Sequence, residues 1–393
     1  MTPGTSETAS PCRLALIGDH PWARAVVEAV QRRGGCLCVC AGPASLTTWA
    51  VRWAPQVIVS DDAAFVLSQP EVDLVILADA WPFRAQLLLQ AVQLDRSVLV
   101  VHPADRNLEV YYVVQLALEE RRFPVWPIMP HRFFEGLMQL RSSLRHLGEA
   151  NDWQLEVSIP VTGHGQTTVF ANECSDPSEY SQPHPFWWWA DWLRLLGGEV
   201  AEVYAVGERP SLDSPHTPLT VTGRWERGGH FVWRLAPGLA EGFRLQTPTG
   251  SITWRGATIH PGTYHCQFQL ANRCTSYESS GRSVWDVYAD WLLRGTAGVG
   301  QPPRWSDAVA AAELVHAVED SLRTRKAVSL LHQEYTESSV FKSQAATIGC
   351  GTVWLILVLA MISPLVPQAL YLIPVLLAVC LALFVAGWLA LRR

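Results

Sequence analysis

The side chains able to do chemistry in this sequence are few and far apart. His102 stands in Val101-His102-Pro103 at the end of an apolar run, His184 in the loop Gln182-Pro183-His184-Pro185, and Asp191 just after Trp187-Trp188-Trp189-Ala190. An imidazole titrating near pH 6.5 can move a proton at neutral pH, so His102 is a candidate acid or base. The alternative for His102 is a histidine that closes a strand beside Pro103. His184 carries the same two readings, and Asp191 is either catalytic or a salt-bridged helix residue. The three tryptophans could wall a cleft, or pack a helix onto a sheet with one ring left partly exposed. No nucleophile-and-base pattern, P-loop or metal-ligand cluster competes with these residues, and no metal is expected.

A second chemical feature is the turn Gly18-Asp19-His20-Pro21-Trp22-Ala23. Leu14 to Ile17 reads as a strand buried on both faces, and Pro21 to Val30 has apolar residues at helical spacing. Strand, tight turn and helix N-terminus form the opening of a dinucleotide-binding unit, in which free N–H groups meet a pyrophosphate. The glycine fingerprint G-x-G-x-x-G is incomplete here. Gly18 is present, His20 replaces the second glycine, and Ala23 is a tolerated third. The ribose-binding carboxylate expected at the end of the second strand is also absent, where Cys40-Ala41-Gly42-Pro43 stands instead. Asp61 and Asp62 come about twenty residues too late and start the helix of Ala63 to Leu67. Gly18, Asp19, His20, Trp22, Ala23, Ala41, Asp79 and His102 are the candidate cofactor contacts, for NAD or NADP held weakly or not at all.

The elements that must position these residues follow from hydrophobic pattern. Cys36 to Cys40, Gln56 to Val59, Val72 to Ala78 and Ser97 to Val101 are short apolar runs with helical segments between several of them, which predicts a parallel sheet with right-handed crossovers. Past Phe123 the pattern changes. Phe133 to Leu147 reads as an amphipathic helix, Gln154 to Val161 as an alternating strand, and Phe186 to Leu196 as an aromatic helix stopped by Gly197 and Gly198. Alternating runs at Thr220 to Trp225, His230 to Leu235, Phe243 to Thr247, Ser251 to Trp254 and Tyr264 to Leu270 predict an open antiparallel sheet with one covered face. Helices over Ser283 to Leu293 and Ser306 to Thr324 follow.

The chain has 393 residues, 49% of them hydrophobic and 17% charged, enough for two globular domains. Its formal charge of -6 argues against a nucleic-acid partner. Among the nine cysteines, Cys36, Cys38 and Cys40 alternate along one expected strand, a spacing that lines a face and does not close a metal tetrahedron. They read as strand-core thiols in a reducing compartment. Residues 1–11 are polar, without the apolar core of a signal peptide, and read as a disordered leader. From Ser343 to Leu391 there is no charged residue and no histidine. That run of about fifty residues suffices for two spans of roughly twenty. The expected spans are Ala346 to Ser363 and Leu370 to Leu391, with Pro364 and Pro367 at the turn. Arg323, Arg325, Lys326 and Lys342 before the run, and Arg392 and Arg393 after it, place both ends in the cytoplasm by the positive-inside rule. The lipid bilayer is therefore an expected partner.

Several pieces, taken in order, resemble the Gfo/Idh/MocA family of NAD(P)-dependent oxidoreductases. They are Pro70-Glu71-Val72-Asp73-Leu74-Val75-Ile76, Ser97-Val98-Leu99-Val100-Val101-His102-Pro103, Arg132-Phe133, Asp191-Trp192-Leu193-Arg194-Leu195-Leu196-Gly197-Gly198 and Trp305-Ser306-Asp307. The resemblance covers roughly 12–330 and implies an α/β chain with a Rossmann domain over 12–125 and an α/β domain with an open, mostly antiparallel sheet over 126–330; the linker over 331–345 and the transmembrane hairpin over 346–391 lie outside it. It implies a nicotinamide cofactor and a sugar-like or cyclitol-like substrate, and leaves a homo-oligomer open. Where the family has Glu-Lys-Pro, this chain has Val101-His102-Pro103, and its first lysine is Lys326. The family's Asp and His upstream of Asp191 fall on His184 and Trp188, and Arg84 stands where a histidine is common. Two readings follow: a membrane-tethered oxidoreductase using His102, or a non-catalytic descendant that binds a ligand or partner at the membrane.

Overall fold

A computed structural model describes residues 12–79, 83–121, 123–134, 140–141, 144, 152–160, 184–208, 212, 217–239, 242–255, 265–270, 273–278, 283–295 and 302–330. The chain divides into two units, Met1–His332 and Gln333–Arg393. Every described residue belongs to the first, so the leader, the linker and the expected hairpin lie outside the described residues. Among the described residues no helix is long and apolar enough to cross a membrane.

The short apolar runs of the first third become a six-stranded parallel sheet of β1 (Arg13–Ile17), β2 (Cys36–Ala41), β3 (Ile58–Ser60), β4 (Leu74–Leu77), β5 (Val98–Val101) and β6 (Val125–Ile128). Their order is β3-β2-β1-β4-β5-β6, the doubly wound arrangement with a crossover at β1. β4 and β5 are buried at every position, as a strand covered by helices on both faces must be. The connecting helices are α1 (Pro21–Gln31), α2 (Ala44–Trp53), α3 (Ala63–Ser68), α4 (Phe83–Gln93) and α5 (Leu108–Glu120). The expected helix start at Asp62 is present, with its carboxylate accepting the Ala64 N–H at 2.8 Å. β6 runs three residues past the boundary expected at 125. Pro127 within it has no ladder N–H to give, and β6 is the edge of the sheet, where that is tolerated.

The cysteine strand departs from simple alternation. β1 and β2 pair in register up to Leu14 with Leu37, then resume at Ala15 with Val39, so Cys38 is an extra residue in a β-bulge. Leu37 and Cys40 consequently share one apolar cluster, while Val39 and Ala41 share the other. Of the cysteines in this stretch, Cys40 is a core thiol; Cys36 and Cys38 are half-buried, as is Cys12.

The second layer is a nine-stranded sheet formed by β7 (Gln154–Pro160), β8 (Val200–Gly207), β9 (Leu219–Trp225), β10 (His230–Ala236), β11 (Gly242–Thr247), β12 (Gly250–Arg255), β13 (His265–Leu270), β14 (Arg273–Glu278) and β15 (Val328–Ser329). The order is β14-β13-β12-β11-β7-β10-β9-β8-β15, antiparallel throughout except where β7 meets β10. Leu155, Val157 and Ile159 face inward while Gln154 and Glu156 face solvent, the alternation of a sheet covered on one side. Against the covered face lie α6 (Phe186–Gly197) and α8 (Trp305–Thr324). α6 ends where a Cβ on Gly197 would sit 2.0 Å from the Trp225 indole, so glycine alone allows that approach. α7 (Val284–Arg294) returns to the first sheet and packs on α1. Arg33 clasps Asp286 at 2.8 Å and Asp290 at 2.7 Å across that contact. Most of the helix expected over 133–147 lies outside the described residues.

Candidate functional site

The candidate residues of the first domain do converge, at the carboxyl edge of β1, β2, β4 and β5, where open α/β sheets gather ligands. Gly18 has φ of 84° and donates its N–H to Ala41 O at 2.8 Å. A Cβ at Gly18 would lie 2.2 Å from the Asp79 backbone nitrogen. Glycine is therefore demanded by the packing of the turn on the end of β4, whether or not a ligand approaches. The carbonyl of Asp79 accepts Arg84 Nε at 2.7 Å. Arg84 is buried, and its Nη1 also donates to Val101 O at 3.2 Å and Pro103 O at 2.7 Å. It staples β4 to β5 at the point where the resemblance placed a histidine.

Of the N–H groups that the helix N-terminus should offer to a pyrophosphate, one is already engaged. His20 caps α1, its Nδ1 accepting the Trp22 N–H at 3.2 Å, and Pro21 has no N–H. Burial, and secondarily the charge of Arg84, pushes the His20 imidazole down to about 3, so the cap is neutral. The buried Asp19 carboxylate faces the same turn. It accepts Arg24 Nε at 2.5 Å, pairs with Arg24 Nη2 and accepts Ser45 Oγ at 2.6 Å. Ala41, ending β2, brings no carboxylate for a ribose.

Above β5 the cleft is filled with rings. Trp22 is buried with its ring centroid 4.3 Å from that of Trp188, at 60°, and 6.2 Å from that of Trp285. His102 is 1% exposed and meets Trp188, Trp187 and Tyr111 edge-on at 5.6, 6.0 and 6.4 Å. The His102–Pro103 peptide is cis. Neither ring nitrogen of His102 has a hydrogen-bond partner among the described residues. Burial pushes His102 down to about 3 despite the opposing charge of Asp191. All three tryptophans of 187–189 are buried, where one was expected to remain partly exposed. α6 is enclosed between the open sheet, α8 and the first domain, and no face of its N-terminal half reaches solvent.

The other two candidates are held by structural bonds. His184 is fully buried, accepts the Phe186 N–H on Nδ1 at 3.2 Å and donates from Nε2 to Thr217 O at 3.3 Å, so it secures the start of α6. Asp191 is also fully buried. It takes Arg132 Nε at 2.8 Å and Nη2 at 2.5 Å, and His131 Nε2 at 2.6 Å. Arg132 Nη1 continues to Asp307 at 2.8 Å. Burial alone would raise the Asp191 pKa, but Arg132 and His131 hold it well below the carboxylate range. His131 is itself lowered by burial and stays neutral, giving its Nε2 proton to Asp191 while Arg132 supplies the charge. The sequence reading missed His131, Arg24 and Ser45. Arg132 was noted only as a family mark, and its ion pair with Asp191 spans 59 positions that no local spacing reveals.

A dinucleotide does not fit these residues as they stand. One first-turn N–H is bonded to His20, a carboxylate occupies the turn, the ribose acid is missing, and the Trp22 indole lies against Trp188.

Neither a protein-family model nor a curated protein matches this sequence. Solved structures do match in fold. A levoglucosan dehydrogenase in complex with NADH and L-sorbose superposes with a TM-score of 0.66 at 14% identity, covering 82% of this chain and 100% of that one. The WlbA dehydrogenase of Bordetella pertussis, in complex with NADH and UDP-GlcNAcA, gives 0.65 at 13% identity, with 84% and 100% covered. An oxidoreductase of Agrobacterium radiobacter, with NAD+, L-tartaric acid and magnesium, gives 0.64 at 16% identity, with 81% and 98% covered. The chain thus shares the fold of these dehydrogenases, a Rossmann-like parallel sheet followed by a second, mixed sheet.

Proposed function

We propose that this chain is a redox-silent relative of the NAD-dependent sugar oxidoreductases whose fold it shares, and that it serves as a binding module held at a membrane. The observation that carries this reading is the contact of Trp22 with Trp188 over a buried, neutral His102. Aromatic rings in mutual contact fill the end of the sheet where substrate and nicotinamide must meet for hydride transfer. The charge-free run from Ser343 to Leu391 and its basic flanks support the anchor, with the folded unit in the cytoplasm.

The test is direct binding of NADH and NADPH to the full chain in detergent, by calorimetry and by tryptophan fluorescence. No binding up to millimolar cofactor is expected. Micromolar binding of either would refute the reading.

A second reading has one observation in its favour. His102 follows β5 at the sheet's carboxyl edge, with both ring nitrogens unpartnered among the described residues. In an oxidoreductase for a sugar-like or cyclitol-like substrate, that neutral imidazole would accept the hydroxyl proton as hydride leaves. Trp22 would have to swing out of the cleft before cofactor entered.

A further inference from the structure

We propose that Cys36 and Cys38 form a redox-active dithiol at the amino edge of the parallel sheet, one that closes to an internal disulfide by exchange with a small-molecule disulfide. The two sulfurs lie 3.4 Å apart. In a regular strand, residues two apart are separated by about 6.6 Å, with their side chains standing parallel. The bulge at Cys38 bends β2 there and brings the second sulfur toward the first, with Cys38 Sγ also 3.9 Å from Cys36 O. Closing the bond needs the sulfurs to approach by roughly a further 1.4 Å, within reach of side-chain rotation. Both residues are half-buried, so a small reagent can arrive.

The surroundings divide the work between the two sulfurs. Cys38, displaced from the ladder by the bulge, is the sulfur that attacks, in its thiolate form. Burial, with Cys38 as a second cause, pushes the Cys36 thiol up to about 11, so Cys36 waits as the resolving group. Cys12 is tied through its backbone, its carbonyl accepting the Cys36 N–H at 2.9 Å, and burial raises its pKa. The step balances as thiol–disulfide exchange. Cys38 thiolate attacks one sulfur of the reagent, forming a mixed disulfide and releasing the first thiolate. Cys36 loses its proton, displaces the second thiolate and closes the internal bond. Two protein thiols are oxidised, one reagent disulfide is reduced, and the two protons leave on the two released thiols. The pair starts β2 while the dinucleotide-type turn lies past its end, roughly 16 Å along the strand, so it is separate from the cleft.

The experiment titrates the full chain with glutathione and its disulfide at rising ratios, followed by acid quench, alkylation and peptide mapping. Cys36 and Cys38 should lose alkylation together and regain it with dithiothreitol. Cys36→Ser should trap glutathione on Cys38, and Cys12→Ser should change neither result. Alkylation of both cysteines throughout the titration, pairing of either with Cys12, or a Cys36→Ser protein whose Cys38 takes no glutathione would each overturn the proposal. The wild-type titration decides the question even where a variant fails to fold.

Discussion

Arg132 grips Asp191 with two parallel hydrogen bonds, Nε to Oδ2 and Nη2 to Oδ1, and both side chains are out of water. Buried charges survive only when paired, and this pair joins the turn after β6 to α6 and, through Asp307, to the start of α8. Asp191→Asn should cost about 3–5 kcal/mol, because it leaves the guanidinium buried beside a neutral group. Urea unfolding of the variant measures the loss; a midpoint unchanged from wild type would contradict this account of the site.

His20 and His102 make the fold sensitive to acid. Both have folded-state pKa values near 3, against an ordinary 6.5. The unfolded chain therefore binds their protons first as pH falls, and stability present above 6.5 declines between 6.5 and 3, by up to about 1.4 kcal/mol per pH unit for each histidine. Asp191 acts in the same direction at lower pH, below the ordinary carboxylate value near 4. Stability curves from pH 8 to 4 should slope downward, and His102→Gln should flatten the slope in part, the remainder coming from His20 and the likewise lowered His131.

His102 itself should prove dispensable for folding. An unsatisfied buried polar group costs about 1–3 kcal/mol, so His102→Leu, of similar bulk, should leave the thermal midpoint equal or higher. His102→Ala should lower it, since a cavity opens among Trp187, Trp188 and Tyr111. In the second functional reading both variants would abolish turnover of a polyol with NAD(H). A lower midpoint for His102→Leu would show that the imidazole has partners.

Trp22 separates packing from cofactor exclusion. Trp22→Ala should destabilise by about 3–5 kcal/mol. Combined with His20→Gly, which frees the backbone N–H of residue 22, it should raise affinity for NADH from undetectable to measurable. Calorimetry is the readout, since it reports binding directly and does not mix in the change of tryptophan signal that Trp22→Ala itself brings.

The proposed anchor is tested by fractionation. The full chain should sediment with membranes and a chain ending at Lys342 should not; a soluble full chain would remove the anchor.

The frame was legible in the sequence because it is written in local patterns. Unbroken apolar runs such as Val98–Val101 mark buried parallel strands, and the Gln154–Pro160 alternation marks a half-covered one. The candidate site was legible in position but not in state. That Gly18, Ala41, Asp79 and His102 share one sheet edge follows from strand ends alone. That His20 caps its own helix, that Asp19 spends its charge on Arg24 and Ser45, and that Trp22 meets Trp188 depend on side-chain directions and on partners up to 166 residues away. The bulge at Cys38 was hidden for a related reason: alternation counts residues, whereas register depends on the neighbouring strand.

The clasp of Arg33 on Asp286 and Asp290 has a bearing on how the chain is made. The apolar side of α1 is covered by α7, whose residues leave the ribosome more than 250 positions later. At about 5–20 residues per second, Trp22 and its neighbours wait on the order of 10–50 s for Trp285 and Tyr288. The nascent first domain thus exposes this apolar face until α7 is made, and truncations that stop before α7 should accumulate bound to chaperones.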